Sequence, residues 1–234
     1  MNVLISINTK EQFKNISEYT HLFDGAEVYV TNYDEEYLTL IRDSNFKIIQ
    51  AHMIDLTQIW FDKQLLEQIC DLFSCIVYHP VSIFNKNTDK QITIEFMKTL
   101  YKVSPNVTLE NLNNLNGKAR LDLNDVCSIV NNIDGLGLCW DIGHENCINK
   151  NSYSIPEYMY TRLKNVHLHD LNDGDHYPFY YRNVDYKKSM EYLKSINYSG
   201  SVVAEFAFDY LKGDSIEEKI YEYLNQIALL KEYI

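Results

Sequence analysis

Short runs in which apolar residues alternate with polar ones recur along the chain, separated by longer stretches with helical spacing. Six of them, KIIQAH, CIVYH, NVTLE, GLGLCWD, NVHLHD and SVVAE, end in or beside a histidine or a carboxylate. Val107 and Leu109 face one way while Thr108 and Glu110 face the other, and Val202 and Ala204 oppose Val203 and Glu205, because successive strand side chains point to opposite faces. With two earlier runs, the predicted strands are Asn2–Ile7, Ala26–Val30, Lys47–His52, Cys75–His79, Val107–Glu110, Leu136–Asp141, Asn165–Asp170 and Ser201–Phe206. The segments between them predict helices over Lys10–Tyr19, Asp34–Asp43, Ile59–Phe73, Thr93–Val103, Leu123–Ile133, Pro156–Leu163, Tyr186–Ile196 and Ser215–Tyr233. The clearest stripe is Ile216, Ile220, Tyr223, Leu224 and Ile227, which repeats at the helical period. Asp122 and Asn124 suit the cap of the fifth helix, Asp214 or Ser215 that of the eighth, and Pro156 the first turn of the sixth.

Strands joined by helices run parallel, with right-handed crossovers. Eight such units in 234 residues predict one α/β domain, a single (β/α)8 TIM barrel over residues 1–234. A doubly wound open sheet competes poorly, since INTKEQ follows the first strand where a glycine-rich phosphate loop would stand. The longest connections, Pro80–Gln91, Asn111–Asp122, Gly143–Ser154 and Leu171–Asp185, all follow strands, and those loops line the active face of such a barrel.

Composition narrows the setting. The N-terminus MNVLISIN has no basic region of a signal peptide, and no stretch approaches the roughly 20 apolar residues of a membrane span. Five cysteines, an odd number without metal-site spacing, read as reduced and structural in a cytoplasmic protein. Acidic residues outnumber basic ones 33 to 21, for a formal charge of −12. No basic face for phosphates is evident, which speaks against nucleic acid as the main partner. The oligomeric state stays open.

Strand ends converge on the axis of a closed barrel, so Glu110, Asp141, His167 and Glu205, from strands five to eight, should be neighbours. Two glutamates, an aspartate and a histidine form a hard, mostly oxygen ligand set that suits manganese, magnesium or cobalt and accepts zinc. Without a cation the three carboxylates would repel one another. Gly143 would let the chain turn sharply and return His144 over the same face. His167 and His169 share the inward face, one reaching the metal, while His169 or Asp170 orients its neighbours. His52 and His79, on the opposite wall, would bind further metals or hydrogen-bond substrate hydroxyls. His21 reads as surface.

The motifs Leu109-Glu110-Asn111-Leu112, Cys139-Trp140-Asp141-Ile142-Gly143-His144, Val166-His167-Leu168-His169-Asp170 and Val203-Ala204-Glu205 resemble those of the xylose-isomerase-like TIM-barrel superfamily. Tyr78-His79-Pro80, Ala51-His52 and Gly25-Ala26-Glu27-Val28 resemble its fourth, third and second strand ends. The resemblance implies a divalent-metal-dependent sugar or sugar-phosphate isomerase or epimerase of carbohydrate metabolism. In it, Glu110 and Glu205 would move protons beside a carbonyl, and His144 would hold a substrate oxygen. It also admits a phosphodiester hydrolase of the apurinic-site endonuclease type, in whose three-metal cluster His52, His79 and His144 would take part. There His176 would contribute, together with Asp175 or Asp173. A non-catalytic sugar- or metal-binding barrel is the third alternative. Where many relatives carry Gly-x-Gly, this chain has Phe179-Tyr180-Tyr181-Arg182-Asn183; Arg182 would meet a phosphate or carboxylate.

Overall fold

The computed structural model describes residues 1–53, 56, 59–113 and 121–234, with only the backbone described at 59–62. Eight parallel strands pair in sequence order and close on themselves, β8 against β1. They are β1 (Asn2–Ile7), β2 (Ala26–Tyr29), β3 (Ile49–Met53), β4 (Ile76–Tyr78), β5 (Val107–Glu110), β6 (Gly137–Asp141), β7 (Leu163–Leu168) and β8 (Ser201–Ala204). The helices are α1 (Lys10–Ile16), α2 (Glu35–Arg42), α3 (Ile59–Ile69), α4 (Lys86–Tyr101), α5 (Leu123–Asn131), α6 (Ile142–Ile148), α7 (Tyr186–Ser195) and α8 (Ile216–Lys231). This is a (β/α)8 barrel.

Alternation decides which residues face which way. Val3, Ile5 and Ile7 of β1, Val107 and Leu109 of β5, and Val166 and Leu168 of β7 pack outward into one core under the helices. Trp140 is fully buried there and meets Tyr192 edge-on at 5.7 Å; truncating such a side chain to alanine costs about 3–5 kcal/mol. The inward face is different. It carries Ser6, Glu27, Gln50, His52, Thr108, Glu110, Asp141, Asn165, His167 and Glu205, all buried, where an ordinary barrel interior is filled with branched apolar side chains. The seam between β1 and β8 is latched from outside, because the Tyr223 hydroxyl accepts from the Ser6 N–H and donates to the Ala204 carbonyl.

Helix starts follow their capping residues. Thr9, Asp34, Asn85, Asp122, Asp141, Asp185 and Ser215 each accept an N–H from the first turn of the helix that follows, a contact worth about 1 kcal/mol. Asp122 and Ser215 are two of the caps expected from the sequence, and Ser215 completes a capping box with Glu218. Two helix expectations need correction. The fourth helix begins at Lys86 rather than Thr93, because Asn85 caps it and Asp89 gathers the N–H groups of Ile83 and Phe84. The sixth helix is Ile142–Ile148, and Pro156–Leu163 holds only a 3-10 turn at Glu157–Met159 before β7 begins. The Asp141 carboxylate starts α6 directly from the strand end, accepting the His144 N–H at 2.6 Å. Two expected long connections, Pro80–Gln91 and Gly143–Ser154, are therefore partly helical. Most of the third, Asn111–Asp122, lies outside the described residues.

Candidate metal centre

Parallel strands in register bring their C-terminal ends to one level: Asp141 stands beside His167, Glu110 beside Cys139, and Tyr29 beside His52. Glu205 follows β8 by one residue, its N–H donating to the Leu168 carbonyl. Around His167 Nδ1 lie Glu205 Oε2 at 3.0 Å, Glu110 Oε2 at 3.4 Å and Asp141 Oδ2 at 4.0 Å. One donor atom from each of these four residues falls within 4.8 Å of all the others. Ligands about 2.1 Å from a shared ion stand roughly 3.0–3.4 Å apart, so the set fits a divalent cation after small adjustments.

Hydrogen bonding gives the same answer independently. Glu110 Oε1 and Oε2, Asp141 Oδ2, Glu205 Oε2 and His167 Nδ1 are buried and make no well-aligned hydrogen bond, although histidine nitrogens and carboxylate oxygens stand 3.0–3.4 Å apart there. Leaving so many acceptors unmet in one place is costly unless a cation takes them. Burial disfavours ionised Glu110, yet the rings of His167, His79 and His144 hold its carboxyl well below the usual range. Burial opposes charge on Glu205 as well, and His167 and His176 hold it down. Glu110 and Glu205 are thereby kept ionised. Cys139, also near Glu110 and His167, stays a thiol because burial pushes its pKa well up.

Two further groups of donors adjoin this set. On one side, His52 Nε2 and His79 Nε2 are 2.9 Å apart, with Glu110 Oε2 at 3.5 and 3.4 Å. On the other, His144, His169 and His176 each offer a ring nitrogen to a common point. His144 Nδ1 lies 3.1 Å from Asp141 Oδ2 and 3.2 Å from Glu110 Oε1. Asp175 reaches His176 Nδ1 at 3.0 Å and His144 Nε2 at 3.7 Å.

Residues 74–231 match the model of the family described as xylose isomerase-like TIM barrel. The chain belongs to that family. No curated protein matches its sequence. Among solved structures, this xylose isomerase-like barrel is similar to a D-psicose 3-epimerase with D-tagatose from Clostridium cellulolyticum H10, at a TM-score of 0.77 and 14% identity, covering 100% of this chain and 99% of that one. It is also similar to a 3-keto-D-glucoside 4-epimerase from E. coli, at a TM-score of 0.73 and 17% identity over 99% of each chain. A third similar structure is an AP endonuclease, family 2, from Brucella melitensis, at a TM-score of 0.64 and 14% identity, covering 94% of this chain and 98% of that one. At such identities the likeness is one of fold, and the chemistry must come from the site itself.

Within the barrel, several sequence expectations take a definite place. His169 has Nε2 3.3 Å from Asp141 Oδ1 and accepts the His176 N–H on Nδ1 at 3.0 Å, so it stands against Asp141. Asp170 does something else. Its carboxylate accepts the backbone N–H groups of Leu171, Tyr181, Arg182, Asn183 and Val184 and so shapes the loop after β7. Arg182 sits exposed on that loop with φ 57°, and its guanidinium makes no ion pair among the described residues. Asp175, not Asp173, is the aspartate beside His176. Gly143 does not turn the chain sharply; it lies in α6, where a Cβ would come within 2.2 Å of the His169 ring. His21 lies exposed in a 3-10 helix (Ser17–Leu22), away from these groups. No helix of the described residues is long and apolar enough to cross a membrane.

Sequence reasoning passed over Glu27, Tyr29, Asn111 and Asn165 as site residues. Tyr29 stacks on His52 with centroids 4.4 Å apart and donates to Glu205 Oε1 at 2.8 Å; burial pushes its pKa well up, which keeps it a donor. Asn111 clasps the backbone of Asp141 through both ends of its amide. The available signal was alternation: Glu27 and Tyr29, or Asn165 and His167, are spaced two apart on the same inward face.

Proposed function

We propose that the chain is a divalent-metal-dependent isomerase or epimerase of a sugar or sugar phosphate. The observation that carries this reading is the pair of buried glutamates, Glu110 and Glu205, whose oxygens converge from different strands on His167 Nδ1 beside an unmet acceptor set. Similarity in fold to sugar epimerases supports it. Glu110, Asp141, His167 and Glu205 would hold manganese, magnesium, cobalt or zinc. When bound, such an ion polarises the carbonyl and hydroxyl oxygens of a substrate and acidifies the carbon between them. One glutamate, ionised, would take the proton from that carbon to leave an enediolate, and the other, after taking up a proton from water or a substrate hydroxyl, would deliver it to the enediolate and return to its ionised form. Tyr29 fixes Glu205 through Oε1, while Oε2 faces the His167 ring. His144 would steady a substrate oxygen, and Arg182 would meet a phosphate where the substrate carries one.

A second reading has its own observation. The adjoining groups His52–His79–Glu110 and His144–His169–His176, the second with Asp175 beside it, offer room for additional ions, as a phosphodiester hydrolase acting at abasic sites would use. The protein's charge of −12 weighs against a DNA substrate. The test loads the purified protein with manganese, counts ions per chain, and supplies a panel of ketoses and ketose phosphates in heavy water beside an abasic duplex. Solvent deuterium at the epimerised carbon is the expected result. Cleavage of the duplex without exchange into any sugar would replace the first reading with the second.

A further inference from the structure

Glu27 is fully buried one rung below the acceptor set, with the His52 and His167 rings between them. Its Oε1 lies 3.1 Å from His52 Nδ1 and 3.0 Å from His167 Nε2, while its Oε2 accepts the Asn165 amide at 2.7 Å. Unlike Glu110, Asp141 and Glu205, it has no unmet oxygen. It therefore spends its hydrogen-bonding capacity on the rings and not on an ion, although it lies near enough to His52, His167 and Glu205 to be grouped with them.

Each ring meets Glu27 with one nitrogen and the mouth of the barrel with the other. His167 turns Nε2 to Glu27 at 3.0 Å, with the Asn165 amide nitrogen 3.1 Å away on the same side, and Nδ1 to Glu110, Asp141 and Glu205. His52 gives Nδ1 to Glu27 and Nε2 to His79 and Glu110. An ionised carboxylate accepts only, so the ring nitrogen facing Glu27 carries a proton, and His167 Nδ1, facing Glu205 and Glu110, carries one as well until a cation displaces it. A neutral imidazole with its proton so placed presents a lone pair at the opposite nitrogen. From this geometry we infer that Glu27 is the positioning residue of the centre: a single oxygen sets the tautomer of both histidines, aiming His167 Nδ1 and His52 Nε2 at the cation positions. The inference rests on the reading of the site as a metal centre and extends it to a residue on the second strand.

Glu27→Gln tests it with little change of shape. Asn165 already donates to the Oε2 position, which favours oxygen there and places the new NH2 group at the Oε1 position, against both rings. At least one ring would then have to accept, moving its proton to the face meant for metal. Nitrogen-15 spectra of labelled histidine report which ring nitrogen is protonated, with and without zinc, and calorimetry reports zinc affinity. In the wild-type protein His167 Nε2 and His52 Nδ1 should be protonated in both states, while zinc removes the proton that Glu205 and Glu110 hold on His167 Nδ1 in its absence. In the variant one of these should be lost, with zinc bound about 10–100-fold more weakly, the usual range for losing the partner of a ligating histidine. A bare His167 Nε2 in the wild type, or unchanged spectra and affinity in the variant, would overturn the inference. The wild-type spectrum decides even where the variant does not fold. Turnover plays no part in these readouts, so a failure to epimerise any sugar counts against the proposed activity alone.

Discussion

The two walls of the barrel mouth are built from the same alternation and end in different electrostatic states. The wall of β5 to β8 presents Glu110, Asp141, His167 and Glu205 with their facing oxygens and the His167 Nδ1 unmet. The wall of β2 and β3 presents Glu27, Tyr29 and His52, whose polar atoms are already engaged with one another and with Glu205. One wall is short of a cation, and the other is internally satisfied and stiff. A centre of this kind needs both, because unmet carboxylates bind an ion only if something holds the intervening rings in the right orientation. The comparison also separates the roles of residues equal in burial: Glu27 and Glu110 are both inaccessible, yet only Glu110 has oxygens to offer.

The largest effect should come from the unsatisfied wall. Glu205→Gln keeps the shape and the Tyr29 contact but removes the charge and the proton-accepting oxygen. Turnover should fall about 10²–10⁴-fold, the range for losing a general acid or base, with the melting temperature little changed. Activity equal to wild type in a matched assay would take Glu205 out of the chemistry and dissolve the distinction between the walls. His79→Ala addresses the other side, where His79 Nε2 stands 2.9 Å from His52 Nε2. An isomerase should keep its rate constant and show KM raised by about tenfold, about 1.4 kcal/mol of binding. A fall of several orders in rate constant, with one fewer ion per chain, would show that this wall binds a catalytic metal and favour the hydrolase.

Asp170→Asn sharpens the picture above the unsatisfied wall. The carboxylate gathers five backbone N–H groups and is fully buried, and His176 and Arg182 on the same loop both hold positive φ, near 60°. A neutral amide can replace only part of that acceptor capacity, and the strained positions lose their restraint. A loss of about 1.5–3 kcal/mol is expected, as for other hydrogen bonds to a buried charge. Hydrogen exchange should quicken over Tyr177–Val184 while the strands stay protected. Uniform exchange across the barrel would mean that Asp170 supports the whole fold.

Much of this was legible in the residues. The strands were, because their apolar positions alternate over several residues and the barrel order follows from helices between parallel strands. The convergence of Glu110, Asp141, His167 and Glu205 was legible because each stands within one residue of its strand's end. The sixth helix was not: IGHENCI is short, polar on several sides and opened by a cap that reads from the sequence as a metal ligand, which hides the helix start. Glu27 was noticed only as part of a motif and given no role, and Asn165 was passed over, for a different reason. They lie one rung below the strand ends, and a pattern that rewards terminal polar residues gives little weight to those beneath. The role of Asp170 depends on a loop conformation that no period encodes.

The smallest predicted effect concerns pH and reaches the unsatisfied wall through His176. Burial disfavours charge on this ring, but Glu205 and Asp175 beside it raise its pKa from 6.5 to about 10. A base raised on folding stabilises the native state fully below its unfolded value, and that contribution fades as pH climbs through the folded one. In metal-stripped protein, the melting temperature of the wild type should therefore exceed that of His176→Asn near pH 6.5, and the gap should close as pH approaches 10. A gap of about 2–4 °C is expected, the shift for about 1 kcal/mol in a domain of this size. Saturating manganese should abolish the trend, because a cation would then occupy the negative charge that His176 answers in its absence. A gap that widened with pH would place the ring's stabilising partners elsewhere than on Glu205 and Asp175.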